Sequence, residues 1–133
     1  MEVQGIGPNQ SSERHESDIF SVSDSKDGLT ILIDTVDETG IRRDLKIHFK
    51  FTYAYRYLDE GDLAYYWATD AFRDNKHVFR IFSGGWSNGE TLENGILTIS
   101  SVTEIPEWFI ATTNGCLNVL SYNEPEIQYL PNA

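Results

Sequence analysis

Between residues 41 and 57 apolar and polar side chains alternate almost without a break. The odd positions read Leu45, Ile47, Phe49, Phe51, Tyr53, Tyr55 and Tyr57, and the even ones include Lys46, His48, Lys50, Thr52 and Arg56. A period of two over this length predicts a β-strand with one buried and one solvated face. Upstream, residues 19–23 and 29–36 carry shorter strand patterns, separated by Asp24-Ser25-Lys26-Asp27-Gly28 and then closed by Asp37-Glu38-Thr39-Gly40. Strands joined by turns this short pair antiparallel, so the three segments predict a meander. Residues 7–18 are polar and aperiodic, and read as a loop or mobile arm.

The alternation breaks at Asp59-Glu60-Gly61-Asp62, where carboxylates suit the start of a helix and its positive dipole end. Leu63, Tyr66, Trp67 and Ala71 then recur at helical spacing, with Arg73 and Lys76 towards the far end, which predicts a helix over 61–73. Strand character returns at 77–82, followed by a glycine-rich loop over 83–90 and a further strand pattern at 96–102. Residues 108–113 and 116–121 flank Asn114-Gly115, a hairpin signal because both residues tolerate the positive φ of a type I′ turn. A last short strand is expected at 127–130. The sum is an α+β fold: a curled, mostly antiparallel sheet of six to eight strands, open or closed as far as a half-barrel, with one main helix packed on the odd-numbered face of 45–57.

With 133 residues the chain has the length of one domain, taken as 1–133. Its apolar fraction of 40% is modest, but aromatic residues reach 13%, and each ring can bury roughly 150–250 Å². Charge changes the picture more. Asp and Glu number 21 against 10 Lys and Arg, for a net charge of −11. That balance argues against nucleic acid, whose phosphates need cations, and against anionic membranes. It suits a basic protein partner, because complementary fields speed encounter. All the basic residues lie between Arg14 and Arg80, whereas Glu90, Glu93, Glu104, Glu107, Glu124 and Glu126 follow with no cation near them in sequence. There is no apolar run long enough to span a bilayer and no leader-like N-terminus, so a cytoplasmic protein is expected.

Little in the residues points to catalysis, to a metal or to a cofactor. Cys116 is the only cysteine and has no His, Lys or Arg close in sequence to lower its pKa, so a core-packing thiol is expected. His15, His48 and His77 form no H-x-H or H-x-x-x-H pair of the kind that seeds a metal site. Phosphate-binding glycine loops, a nucleophile elbow and an EF-hand loop are all missing. The chain is therefore read as a binding protein and not an enzyme. Gly84-Gly85-Trp86 sets a large aromatic on a glycine-rich loop, either as an interface anchor or folded back as a plug for the sheet.

The passages Tyr57-Leu58-Asp59-Glu60-Gly61-Asp62-Leu63, Ser83-Gly84-Gly85-Trp86, and Asn114-Gly115-Cys116-Leu117-Asn118-Val119-Leu120-Ser121 ending near Pro125-Glu126-Ile127 give a further indication. Over roughly residues 56–130 the chain resembles immunity proteins of bacterial polymorphic-toxin and contact-dependent growth-inhibition systems. The resemblance implies a cytoplasmic, non-catalytic protein that binds a cognate toxin domain in a 1:1 complex. Where that toxin is a nuclease, its basic substrate-binding surface is what an acidic inhibitor would cover. The residues expected to make the contact are Asp59, Glu60, Asp62, Trp86, Glu90 and Glu93. Two other readings are a small-molecule-binding barrel lined by the tyrosines and phenylalanines, and a non-catalytic adaptor subunit of an assembly.

Overall fold

The meander forms as patterned. Strands β1 (Glu2–Asn9), β2 (Asp18–Ser25), β3 (Gly28–Val36) and β4 (Arg42–Phe49) open the chain, and β2, β3 and β4 lie side by side and antiparallel. The structure is a computed structural model that describes residues 1–13, 15–87 and 104–131. At the β2–β3 turn Gly28 takes φ +113°, and a Cβ there would strike the Phe49 carbonyl, so the Asp-Gly signal has a steric cause. After β4 come β5 (Ala54–Asp59), a 3₁₀ turn (Glu60–Leu63), the short helix α1 (Ala64–Trp67), β6 (Lys76–Ser83), β7 (Glu107–Ala111), β8 (Gly115–Leu120) and β9 (Glu126–Tyr129).

The architecture is the expected mostly antiparallel α+β one, with the nine described strands shared between two open sheets. One has the order β1-β6-β7-β8-β5, the other β2-β3-β4-β9. Their facing sides interlock through Leu29, Ile31 and Ile33 of β3 and Leu45, Ile47 and Phe49 of β4 against Val78, Trp108, Ile110, Leu117 and Val119. A second core covers the far side of the five-stranded sheet, where Leu63 and Tyr66 meet Phe79, Ile81, Phe109 and Cys116. Phe72 lies between them, its ring 5.7 Å from that of Tyr66 and 5.1 Å from that of Phe79. The five-stranded sheet is thus a middle layer, buried on both faces, which is why β8 is buried at every position from Gly115 to Leu120.

Several expectations are corrected. The 41–57 alternation is not one strand. Its first half is β4, whose odd positions face the other sheet rather than the helix. After Phe49 the chain crosses to the five-stranded sheet, where Tyr53 N–H donates to the Leu120 carbonyl, and continues as β5. The helix over 61–73 contracts to one 3₁₀ turn and one α-turn. Thr69 ends it: its hydroxyl donates to the Tyr66 carbonyl at 2.9 Å and accepts from Ala71 N–H at 3.4 Å, competing with the helical bonds.

The stretch 7–18, expected as a loop or mobile arm, is loop only over the described residues between Ser11 and Ser17. Residues up to Asn9 belong to β1 and Gln10 bridges to Asp37. Ser17 N–H then donates to Thr113 Oγ1 at 2.8 Å, tying the connection to the β7–β8 turn. The Asn114-Gly115 hairpin forms, but neither residue has positive φ. Gly115 is needed for another reason, since a Cβ there would collide with the Tyr57 ring and hydroxyl. The strand expected at 96–102 lies outside the described residues.

Candidate partner-binding surface

Strand β5 has two unlike faces. Its even positions point to the helix side, where Leu58 packs into the second core and Arg56 Nε donates to Asn118 Oδ1 at 2.9 Å. Its odd positions share a face with Leu117 and Val119 of β8, but at the sheet's edge, beyond the cover of β2. Tyr55 and Tyr57 are consequently 37 and 53% exposed, and Phe51 and Tyr53, in the crossing that leads into β5, are 59 and 53% exposed. The expectation that all odd positions from 45 to 57 are core therefore fails from 51 onwards. Rings touch along this row: Phe51 meets Tyr53 at 5.4 Å, and Tyr53 meets Tyr122 at 5.5 Å, both edge to face.

The end of β5 brings three of the expected contact residues together. Asp59 caps the 3₁₀ turn by accepting from Gly61 N–H at 2.8 Å, and Glu60 N–H donates to the Asn114 carbonyl at 3.0 Å. Leu63 and Tyr66 turn inwards, which leaves Asp59, Glu60, Asp62, Tyr65 and Trp67 outside. Trp67 is tied to the turn by its Nε1–H, which donates to the Glu60 carbonyl at 2.6 Å. A fourth carboxylate joins from β2, because Asp18 Oδ1 accepts from Asn114 Nδ2 at 2.7 Å. None of these four acids takes part in an ion pair among the described residues.

Trp86 belongs to a different place. It lies half-buried on the helix side of the five-stranded sheet, its ring beneath the Arg56 guanidinium at 4.9 Å. Its own N–H donates to Glu107 Oε2 at 2.9 Å. Folding back onto the sheet, and not protrusion, is the conformation adopted. Glu90 and Glu93 lie outside the described residues.

Glu107 is the residue that sequence reasoning placed wrongly. Counted among the acids of a cation-free C-terminal stretch, it is only 1% exposed. Its carboxylate accepts from the N–H groups of Trp86 and Ser87, the Ser87 hydroxyl and Asn118 Nδ2, at 2.9–3.2 Å. Asn118 Nδ2 also donates to the Tyr66 hydroxyl at 3.0 Å, so a polar network crosses the second core. Burial pushes the Glu107 pKa up, against the pull of those donors. The one available sequence signal was position: Glu107 and Asn118 fall inside apolar runs. Glu126, also from that stretch, pairs across the strand with His48, and Lys46 lines the same polar face of the four-stranded sheet, so β4 brings a basic side chain near it that the sequence order does not.

The remaining reactive groups sit in structural settings. Cys116 is buried in the second core, its thiol pushed up to about 11 by burial first, with Glu60 and Asp59 adding to the shift. His77 is buried between the sheets; its Nδ1 donates to the Ala111 carbonyl at 2.8 Å, leaving Nε2 to accept from the Thr35 hydroxyl at 2.8 Å. His48 lies on the polar face as patterned, 2.9 Å from Thr30 Oγ1. Among the described residues no group of three or more His, Cys, Asp or Glu is placed to hold a metal ion, and no helix is long and apolar enough to cross a membrane.

The fold and the surface define a two-sheet antiparallel sandwich with a short helical cover and an exposed strand edge of aromatic and acidic character. No protein-family model matches the chain, and neither a curated protein nor a solved structure matches it.

Proposed function

We propose that the chain is a cytoplasmic, non-catalytic binding protein of bacterial origin that neutralises a basic toxin domain, such as a nuclease, by covering the surface with which that domain grips its substrate. The observation that carries this reading is the succession of exposed Phe51, Tyr53, Tyr55 and Tyr57 leading into the carboxylates of Asp59, Glu60 and Asp62, with Tyr65 and Trp67 exposed on the helix side of the same edge. Aromatic rings supply contact area at low entropic cost, and desolvated tyrosines and tryptophans dominate interface energetics. Carboxylates with no ion pair among the described residues attract a cationic partner and accelerate encounter. A net charge of −11 extends the same field over the whole molecule.

The test is capture from a lysate of the source organism, with wild type compared against the variant D59N/E60K/D62K. Asn keeps the capping acceptor at position 59, so the turn survives while the site gains five charges (one, two and two). Wild type should retain one basic protein in 1:1 ratio, with an association rate that falls at least tenfold from about 20 to 300 mM salt. The variant should associate more slowly and without that salt dependence. Equal binding by the two forms, or a partner of acidic character, would defeat the proposal.

A further inference from the structure

Among the described residues the sandwich has four strand edges, and they are treated differently. On one side β1 and β9 close against each other: Tyr129 hydroxyl donates to the Asn9 carbonyl at 2.9 Å, and Ile127 packs on Gly7. Strand β1 is interrupted by register shifts, and β9 has four residues with prolines at 125 and 131. On the other side β2 is bulged between Ile19 and Ser21. These are the usual ways an edge is blunted against pairing. Between Ala54 and Asp59 strand β5 shows none of them. It runs in unbroken register from Ala54 to Asp59, contains no proline, and among the described residues has β8 on one side and no strand on the other.

The phase of its hydrogen bonds says which groups are free. Glu60 N–H donates to the Asn114 carbonyl in the register that pairs Ala54 with Leu120 and Asp59 with Gly115. Bonded pairs alternate in an antiparallel ladder, so Ala54, Arg56 and Leu58 direct their main-chain groups to β8, and Tyr55, Tyr57 and Asp59 direct theirs to the open edge. Among the described residues, those whose main-chain groups face the open edge are therefore the ones with the exposed side chains. Val22 of β2, 37% exposed and cross-strand from core Ile31, opens to the same side of the sandwich.

We infer that β5 is a strand acceptor: an extended, basic segment of a partner protein pairs along Tyr55, Tyr57 and Asp59 as a sixth strand of the sheet. This rests on the reading above that the partner is a basic protein. Charge decides the occupant. At the Asp59 end the added strand would meet Asp18, Glu60 and Asp62, none of them in an ion pair among the described residues, so Lys or Arg at alternate positions is complementary there. A second copy of this chain is not. It would set a charge of −11 against −11 and, in the two-fold register that pairs Tyr55 with Tyr57, Arg56 against Arg56.

The probe is an eight-residue peptide of alternating Lys and Val, with an alternating Glu and Val peptide as control, followed by amide hydrogen exchange of the intact chain. Without peptide, the amides of Tyr55 and Tyr57 should exchange fast while those of Arg56 and Leu58 are protected. At a free Lys/Val concentration ten times its Kd, exchange at Tyr55 and Tyr57 should slow by about tenfold, and the Glu/Val peptide should have no effect. Tyr55→Pro should abolish the protection at Tyr57 where Tyr55→Ala only weakens it, because both lose the ring and only proline loses the outward N–H. If the proline variant fails to fold, the wild-type exchange pattern decides alone. Slow exchange at Tyr55 and Tyr57 in the free monomer, protection that grows with protein concentration instead of peptide, or peptide bound without protection there would each overturn the inference. Peptide protection with no basic protein captured from the lysate would leave the strand acceptor standing and remove the toxin reading.

Discussion

Replacing Glu107 probes the polar network inside the second core. The carboxylate satisfies four donors, two of them the N–H groups of Trp86 and Ser87, and Ser87 is fully buried. In Glu107→Ala the Ser87 hydroxyl can turn elsewhere and Asn118 Nδ2 keeps the Tyr66 hydroxyl, so the two backbone donors are the groups stranded. Each stranded donor costs about 1–3 kcal/mol, and release of a buried carboxylate offsets part of that, which leaves a loss of about 2–4 kcal/mol. Glu107→Gln keeps one accepting oxygen but turns an NH₂ towards the other pair of donors, and should fall between wild type and alanine.

The pH dependence carries the finer test. The folded pKa of Glu107 is raised by burial, so the folded state favours its protonated form. Its contribution to stability is therefore greatest below the unfolded value, about 4.5, and declines as pH rises from there through the folded pKa. Glutamine lacks this slope. Urea denaturation followed by tryptophan fluorescence, from about pH 5 to pH 8, should show the gap between wild type and Glu107→Gln narrowing as pH rises. The other carboxylates titrate in both proteins and cancel in the difference. A gap that widens or stays constant with pH, or an alanine variant as stable as wild type, would refute the account of Glu107 as a buried, costly acceptor.

Three further outcomes are expected. Gly115→Ala should destabilise by about 1–3 kcal/mol through the collision with Tyr57, and the double variant with Tyr57→Ala should recover most of the loss in the same urea assay. His77, whose pKa burial lowers, stabilises the fold above its unfolded value near 6.5 and ceases to do so as pH falls through the folded pKa. His77→Gln should flatten the acid limb of the stability curve below about pH 6.5, measured by thermal melts. Phe109→Ala should cost about 3–5 kcal/mol, because its ring sits within 5.0 Å of both Tyr66 and Phe72; an unchanged melting temperature would contradict the second core.

What the chain reveals in one dimension is local. The Asp-Gly turn at 27–28 and the three-stranded meander follow from rules that link neighbours within a few residues, and both form; the hairpin at 114–115 forms too, but without the positive φ that predicted it. Net charge and the acidic start after Tyr57 were equally legible, and Asp59, Glu60 and Asp62 do lie together because a single turn holds them. Glu107 was not legible as a buried acceptor, since its donors come from residues 20 and 21 positions away and from Asn118 on the next strand.

The division is sharpest along residues 45–57. Periodicity determined that the odd positions share a side of their strand, and it could determine no more, because a period of two is the same whether that side is covered or not. Only the tertiary structure decided that Leu45, Ile47 and Phe49 face a second sheet while Tyr55 and Tyr57 stand at the edge of another. The cause is the crossing between sheets after Phe49, which places the second half of one hydrophobic pattern beyond the reach of the layer that buries the first. Burial is a property of what lies opposite, and for this chain what lies opposite is set by strand order, not by the strand's own residues.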